Sequence, residues 1–483
     1  MRLAGCTLAV ACHLGGCGVA EEAMAGGSSG DASSDASEDD DDAALPNPVA
    51  DSGESTEGGT SDSSDEADES SGGSTTGEPP PVEPGDCDAL LALADSLAEG
   101  TSGEAEITDF FRSVSYGEQG FPIIDGDRLC FAYRDPVGVP LSVAGDFNEW
   151  VVGEHDLDYA SGKHDLRYAV VDLPPRDHTG LYKFVRMRDE PEYFADPASR
   201  RFGWDEFGEY SLVAPQASVS HYERWPDFNK NAGGLLARDV VVYVPPGAFE
   251  ASDLPVLYMH DGQNLFAPNA IFGGWRVGTT MDFAIAEDPD AAALVVGIDN
   301  TVDRFEEYTH VADDLGGMLQ GGKADQYAAF IVDGIKPLID ERYPTALDAE
   351  RTAVAGSSLG GLASLYIAWR YPEVFGAAAS MSGTVGWGSF GGGNPTIGDL
   401  FVGNAPVGQR IYLDSGGGPG LGCPSGGSDN YCDNVALADA LRGLGWSDGD
   451  DLLYVWEEDA GHNEAEWAER FPAMIRDWFP GNL

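Results

Sequence analysis

The chain has 483 residues, 42% of them hydrophobic, and a formal net charge of −57, which is enough for two or three domains with real cores. So acidic a balance argues against nucleic acid and anionic membranes as partners. Its seven cysteines include no C-x-x-C or Cys/His cluster that would suggest zinc.

The amino end reads MRLAGCTLAVACHLGGCGVAEE. Arg2 supplies a positive charge and residues 3–16 a short, mostly small and apolar run, too short for a permanent bilayer span, so residues 1–16 are read as a signal peptide. Leu14-Gly15-Gly16-Cys17 resembles the lipobox of bacterial lipoproteins. That implies a lipid on Cys17 and an exported protein held at the cell envelope or surface. Cleavage after Ala23-Met24-Ala25 would instead release a secreted protein. Residues 17–87 are rich in Ser and Gly. No Lys or Arg falls between Arg2 and Arg112, while about twenty carboxylates lie between Glu21 and Asp88. Such a segment has little to bury and repels itself, so it is expected to be a disordered linker. The acidic run Glu38 to Asp42 lacks the spaced Asp/Asn/Gly loop that wraps calcium.

Residues 88–99, DALLALADSLAE, carry apolar residues at helical spacing. From Arg128 the period becomes that of strands: RLCFAYRDP, PLSVAGDFNEW, LRYAVVDLPP, GLYKFVRMRD and GEYSLVAP, separated by Asp, Pro and Gly. They predict a small antiparallel sandwich over residues 88–216, led by the short helix. VAGDFNEW and YKFV, followed by YFADPASRR, resemble the early-set immunoglobulin-like modules that precede glycogen-branching enzymes, enterochelin esterases and some feruloyl esterases. Some of those modules bind glycans through exposed aromatics, which makes Trp150 and Trp204 candidate sugar platforms. The alternative is core or docking surface.

Residues 217–483 alternate strands and helices. DVVVYVPP, LPVLYMHDG, AALVVGIDN, RTAVAGSS, GAAASMSG, RIYLDSG and LLYVWEED read as largely buried strands. Between them Asp325 to Tyr343 places Tyr327, Phe330, Ile331, Ile335, Leu338 and Ile339 on one helical face. This is an α/β pattern with a mainly parallel sheet.

Gly356-Ser357-Ser358-Leu359-Gly360 is a G-x-S-x-G pattern, which also occurs at Gly26-Gly27-Ser28-Ser29-Gly30. Context separates them. Thr352 to Ala355 is a predicted strand and Leu359 to Tyr371 a predicted helix, so Ser358 falls on a tight turn at the carboxyl edge of the sheet, beside a helix amino end. Ser28 has neither flank. A serine needs a base, and His462 follows the last strand and a Gly461 turn. The third member is expected on the loop after RIYLDSG, with Asp429 the first choice and Asp414 and Asp433 the alternatives. The backbone amides of Leu359 and Gln263 are the candidate oxyanion donors, the latter on the turn YMHDGQNLF. After processing at Cys17 four cysteines remain, an even number that suits an oxidising compartment, and the expected pairs are Cys423–Cys432 and Cys87–Cys130.

YMHDGQNLF, GGWRVG, VVGIDN with EEYTH, GSSLGGLASLYIAWRYPEVFG and GHNEAEW resemble the putative-esterase family of α/β hydrolases over roughly Arg238 to Pro480. Its members include enterochelin, feruloyl and acetylxylan esterases, esterase D and the mycolyltransferases. The resemblance implies serine-dependent ester hydrolysis without metal or organic cofactor, with Ser358 and His462 matching nucleophile and base and Gln263 and Leu359 the oxyanion donors. The fold expected is therefore an α/β-hydrolase domain with a mainly parallel sheet, preceded by a small all-β sandwich and a disordered acidic tail. The expected substrate is an ester, either feruloyl or acetyl groups on polysaccharide or small generic esters. A ferric siderophore trilactone is the alternative, and an anionic ligand of that kind would look to Arg276 and Arg304. Acyl transfer to another acceptor, and a non-catalytic surface glycan-binding protein, complete the alternatives.

Overall fold

Short runs of Val, Leu, Ala and Tyr build the centre of the molecule. The computed structural model describes residues 86–172, 180–391, 393–405, 408–424 and 427–479. The signal peptide, Cys17 and nearly all of the acidic linker expected from the sequence lie outside them. Strands Val256–His260, Leu294–Ile298, Thr352–Ser357, Ala377–Met381, Arg410–Ser415 and Leu452–Trp456 run parallel. In space the order is 452–456, 410–415, 377–381, 352–357, 256–260 and 294–298, after which Arg238–Val244 and His221–Phe228 continue the sheet antiparallel.

Residues alternate between two cores, as a sheet covered on both faces requires. Val256, Tyr258, Val354, Ala378, Ile411 and Leu413 point to a core shared with helix Leu359–Arg370 and the helical segment 324–342. Leu257, Met259, Ala355, Ala379 and Tyr412 point to the other, filled by Val277 and Met281 of helix Val277–Glu287 and by Trp467, Phe471 and Met474 of helix Glu464–Asp477. This is the α/β-hydrolase architecture that the motifs implied. The helix expected over 325–343 is present but widens into a π turn at Ile331–Ile335. Beside that turn the Asp333 carbonyl accepts a 2.6 Å hydrogen bond from Asn231 Nδ2.

Ahead of this domain, strands Ile123–Asp125, Arg128–Arg134, Leu166–Asp172 and Asp158–Tyr159 form one sheet of a β-sandwich. It packs against Leu141–Gly145 and Leu181–Arg186 through Leu129, Phe131, Val143, Val171, Tyr182 and Phe184. Its outer face, with Cys130 and Ala132, is covered by helices Cys87–Glu99 and Glu104–Tyr116. The second helix is absent from the sequence reading. Its signal was there: Glu106 reaches back to the Gly103 amide at 2.8 Å, and Ile107 and Phe110 lie buried on one face. Disulfides join Cys87 to Cys130 and Cys423 to Cys432.

The sandwich and the hydrolase domain meet around residue 216 within a single sheet. Strand Arg201–Asp205 pairs antiparallel with His221–Phe228, through Phe202 opposite Tyr222 and Arg201 opposite Glu223. One hydrogen-bonded sheet therefore runs from the sandwich into the hydrolase, and the described residues belong to one compact unit. Buried charges pin the junction. Burial opposes ionisation of Glu223, but His221, Arg201 and Arg200 outweigh it and hold the carboxyl down at about 2. Tyr343 donates to the same carboxylate at 2.8 Å, and the Arg200 guanidinium lies 3.4 Å from the Trp225 ring centre. Trp204 is absorbed into this joint, its ring 4.8 Å from that of Tyr222. Trp150 is half-buried, with its indole N–H on Asp146 at 2.9 Å.

Candidate active site

Strand Thr352–Ser357 is buried throughout and gives way without a loop to helix Leu359–Arg370. Ser358 occupies the single residue between them at φ 54° and ψ −122°. A non-glycine residue there costs about 1–3 kcal/mol, a strain that the packed strand and helix impose. Gly356 makes the turn possible: a Cβ on it would lie 2.7 Å from the Gly360 carbonyl carbon. Ser358 Oγ is 3.4 Å from Thr384 Oγ1.

The loop after the neighbouring strand Ala377–Met381 binds this turn to the rest of the site. The Ser358 amide donates to the Met381 carbonyl at 2.9 Å, and the Thr384 amide donates to the Ser358 carbonyl at 3.0 Å. Between them Ser382, at φ 48°, donates through its hydroxyl to Asp429 Oδ2 at 2.6 Å. The Gly416 amide donates to the same oxygen. The other carboxylate oxygen, Oδ1, lies 2.5 Å from His462 Nδ1. Asp429 keeps only 3% of its side chain exposed and His462 39%, so a buried acid orients an accessible imidazole. The rings of Trp467 and His462 meet edge to face, centroid to centroid 5.0 Å. Among the described residues, Ser358 and His462 make no direct hydrogen bond.

The two alternative acids stand elsewhere. Asp414 is fully buried, ion-paired to Arg470 at 3.2 Å, and accepts from Tyr412 at 3.0 Å and from the Ser382 amide at 2.9 Å. Burial pushes its carboxyl up, against the pull of Arg470. Asp433, on helix Tyr431–Leu444, is half-buried and faces Gly386, where a Cβ would lie 2.6 Å from its Oδ2. Neither touches His462.

Gln263 lies in the turn Gly262–Asn264 that follows strand Val256–His260. Its side-chain oxygen accepts from the Asn300 amide at 3.1 Å. Asp261, at φ 58°, braces the turn: Arg304 grips both its oxygens at 2.8 and 2.9 Å and Asn300 Nδ2 adds a bond of 2.6 Å. Burial opposes its ionisation, yet Arg304 holds the carboxyl below the usual range. The start of the Ser358 helix packs on this turn, since a Cβ on Gly360 would sit 3.3 Å from His260 Cβ. Among the described residues, neither the Gln263 nor the Leu359 amide donates to a protein acceptor. His260 is buried with Nδ1 2.9 Å from the Tyr327 hydroxyl, and burial takes it down to about 4, so it is neutral at ordinary pH. Arg304 is thus committed to Asp261, and Arg276 is exposed in a shallow groove beside helix Glu464–Asp477.

The sequence reading missed Ser382, Thr384, Trp467 and Arg470. The MSG turn after a buried strand was a weak pointer, because serine at positive φ marks a place where backbone geometry has been forced.

The family description "Putative esterase" matches residues 237–478, half of the chain and the part that holds every residue above. The chain belongs to the putative-esterase family. Among curated members, Iron(III) enterobactin esterase of Escherichia coli K12 is 30% identical over 173 residues, which cover 35% of this chain and 39% of that protein. The uncharacterized protein YbbA of Bacillus subtilis 168 is 28% identical over 151 residues, 30% of this chain and 57% of its own. The match therefore spans little more than half of these relatives at best. A solved enterobactin esterase from Shigella flexneri covers 73% of this chain and 93% of its own, at 19% identity and a TM-score of 0.39.

Proposed function

We propose that the chain is an exported serine esterase working through Ser358, His462 and Asp429. Ser358 Oγ attacks the ester carbonyl while His462 Nε2 takes its proton and then returns it to the leaving alcohol. Asp429 keeps the other ring nitrogen protonated and steadies the imidazolium. The Leu359 and Gln263 amides receive the oxyanion, aided by the helix amino end. Water, activated by the same histidine, then releases the acid. The observation that carries this reading is the 2.5 Å contact between His462 and a nearly buried Asp429. The 381–384 loop ties that carboxylate to the strained Ser358 turn.

For substrate we favour feruloyl or acetyl esters of polysaccharide, or small neutral esters. The reason is charge: the chain carries a net charge of −57, and Arg304, one of the two arginines considered for an anionic ligand, is taken by Asp261. The second reading, a siderophore trilactone, is favoured by the 30% match to the Escherichia coli Iron(III) enterobactin esterase. Export and a lipid on Cys17 rest on the amino-terminal sequence.

The test is hydrolysis of p-nitrophenyl acetate, methyl ferulate, acetylated xylan and a ferric catecholate trilactone by the full chain, each beside Ser358→Ala. Turnover lost in the variant supports the serine mechanism, and the substrate turned over names the class. Activity indifferent to the substitution would remove Ser358 from the mechanism. No turnover anywhere would bring back the glycan-binding alternative.

A further inference from the structure

The Ser382 hydroxyl has three neighbours. It donates to Asp429 Oδ2 at 2.6 Å, and it receives Trp467 Nε1 at 3.0 Å and Arg470 Nη2 at 2.8 Å. An indole N–H and a guanidinium can only donate. Both lone pairs of the hydroxyl are therefore spoken for, and its one hydrogen has a single acceptor in reach, the Asp429 carboxylate. Arg470 and Asp414 lock this direction from behind: Arg470 is 4% exposed and ion-paired to the fully buried Asp414, which also accepts from the Ser382 amide. Tyr412 closes the chain on Asp414.

We infer that Ser382 is a positioning residue of the catalytic acid, a one-way hydrogen-bond link through which the buried Arg470–Asp414 pair fixes and polarises Asp429. Its consequence is directional: Asp429 can turn only toward His462, because Oδ2 is held by Ser382 and Gly416. The assignment also explains why the acid comes from a loop, fifteen residues beyond Asp414. The carboxylate at the strand end is consumed as the anchor of the link. This inference rests on the triad proposed above.

Ser382→Gly removes the hydroxyl and suits the left-handed backbone, φ 48°, better than serine does, but it takes the acceptor from the buried Trp467 and Arg470 N–H groups, so a melting curve accompanies the assay to show that the variant is folded. With p-nitrophenyl acetate and the full chain, kcat should fall about tenfold to a hundredfold, the size of one hydrogen bond to a charged group. KM should stay within about twofold. In the Ser382→Gly/Asp429→Asn pair, the loss should not exceed that of Asp429→Asn alone, because the serine acts only through the aspartate. Wild-type kcat in Ser382→Gly, or a loss that multiplies with that of Asp429→Asn, would overturn the link. Should no ester be turned over at all, the downfield proton resonance of His462 Nδ1–H decides independently of catalysis. A shift in Ser382→Gly supports the link, and an unchanged resonance refutes it.

Discussion

Asp429→Asn changes one atom, yet the surroundings dictate how the amide must sit. Oδ2 faces two donors, the Ser382 hydroxyl and the Gly416 N–H. The amide NH2 cannot take that position, since the Ser382 hydrogen has no other acceptor and the Gly416 N–H has none either. The amide oxygen must stay there, which turns the NH2 toward His462 Nδ1, 2.5 Å away in the wild type. An NH2 donor requires Nδ1 to be the unprotonated nitrogen, so Nε2 carries the proton and can no longer take one from Ser358. The expected loss is on the order of 10⁴ in kcat, about 5.5 kcal/mol of transition-state stabilisation. KM should change little, because no group on the substrate side is touched. Steady-state hydrolysis of p-nitrophenyl acetate, with a melting curve to show that the fold survives, measures it. A loss below tenfold in a folded variant, or a larger loss from Asp433→Asn, would refute the reasoning.

Other outcomes follow from the same structure. The Cys423–Cys432 disulfide closes a loop of nine residues' separation that carries Asp429. Replacing both cysteines by serine should lower stability by up to about 2.5 kcal/mol and reduce kcat while Ser358 remains phosphonate-reactive, as read by chemical denaturation and labelling. Asp299, behind the Gly262 turn, has its Oδ1 buried without a hydrogen-bond partner, and burial followed by repulsion from Asp239 and Asp261 takes its carboxyl up to about 7. A folded-state value raised above the unfolded one means stability is lost as pH rises from about 4 through 7. Asp299→Asn should therefore stabilise at pH 8, by roughly 1–2 kcal/mol, and do little at pH 4, as read by melting at both values.

Much of the fold was legible because the hydrolase strands are short, continuous apolar runs bounded by turn residues, and because Ser358 and His462 sit where strand, turn and helix alternate. Chain order alone could not choose the acid. Asp414 sits at the strand end, Asp429 fifteen residues on, and nothing in their spacing tells which is sealed against Arg470 and which meets His462. That distinction depends on Arg470, a residue from the last helix, and long-range pairing leaves no local mark in sequence. The helix at 104–116 escaped because its mean hydropathy is low and only its buried stripe is apolar. The continuity of the sheet near residue 216 was not legible for a different reason: Pro, Gln and Ser there lie between two strands of one sheet, and a turn within a sheet reads like a linker between domains.

That continuity sets what can be cut away. A chain beginning at residue 217 would leave His221–Phe228 as a bare edge, with the backbone groups that now pair to Arg201–Asp205 open to any passing strand. It would also uncover Tyr222 and Trp225 and leave Glu223 without Arg201 and Arg200. The sandwich is thus the solubility cover of the catalytic half, and it cannot swing as a lid without breaking ladder hydrogen bonds. Any opening over Ser358 has to come from loops at the carboxyl edge of the sheet.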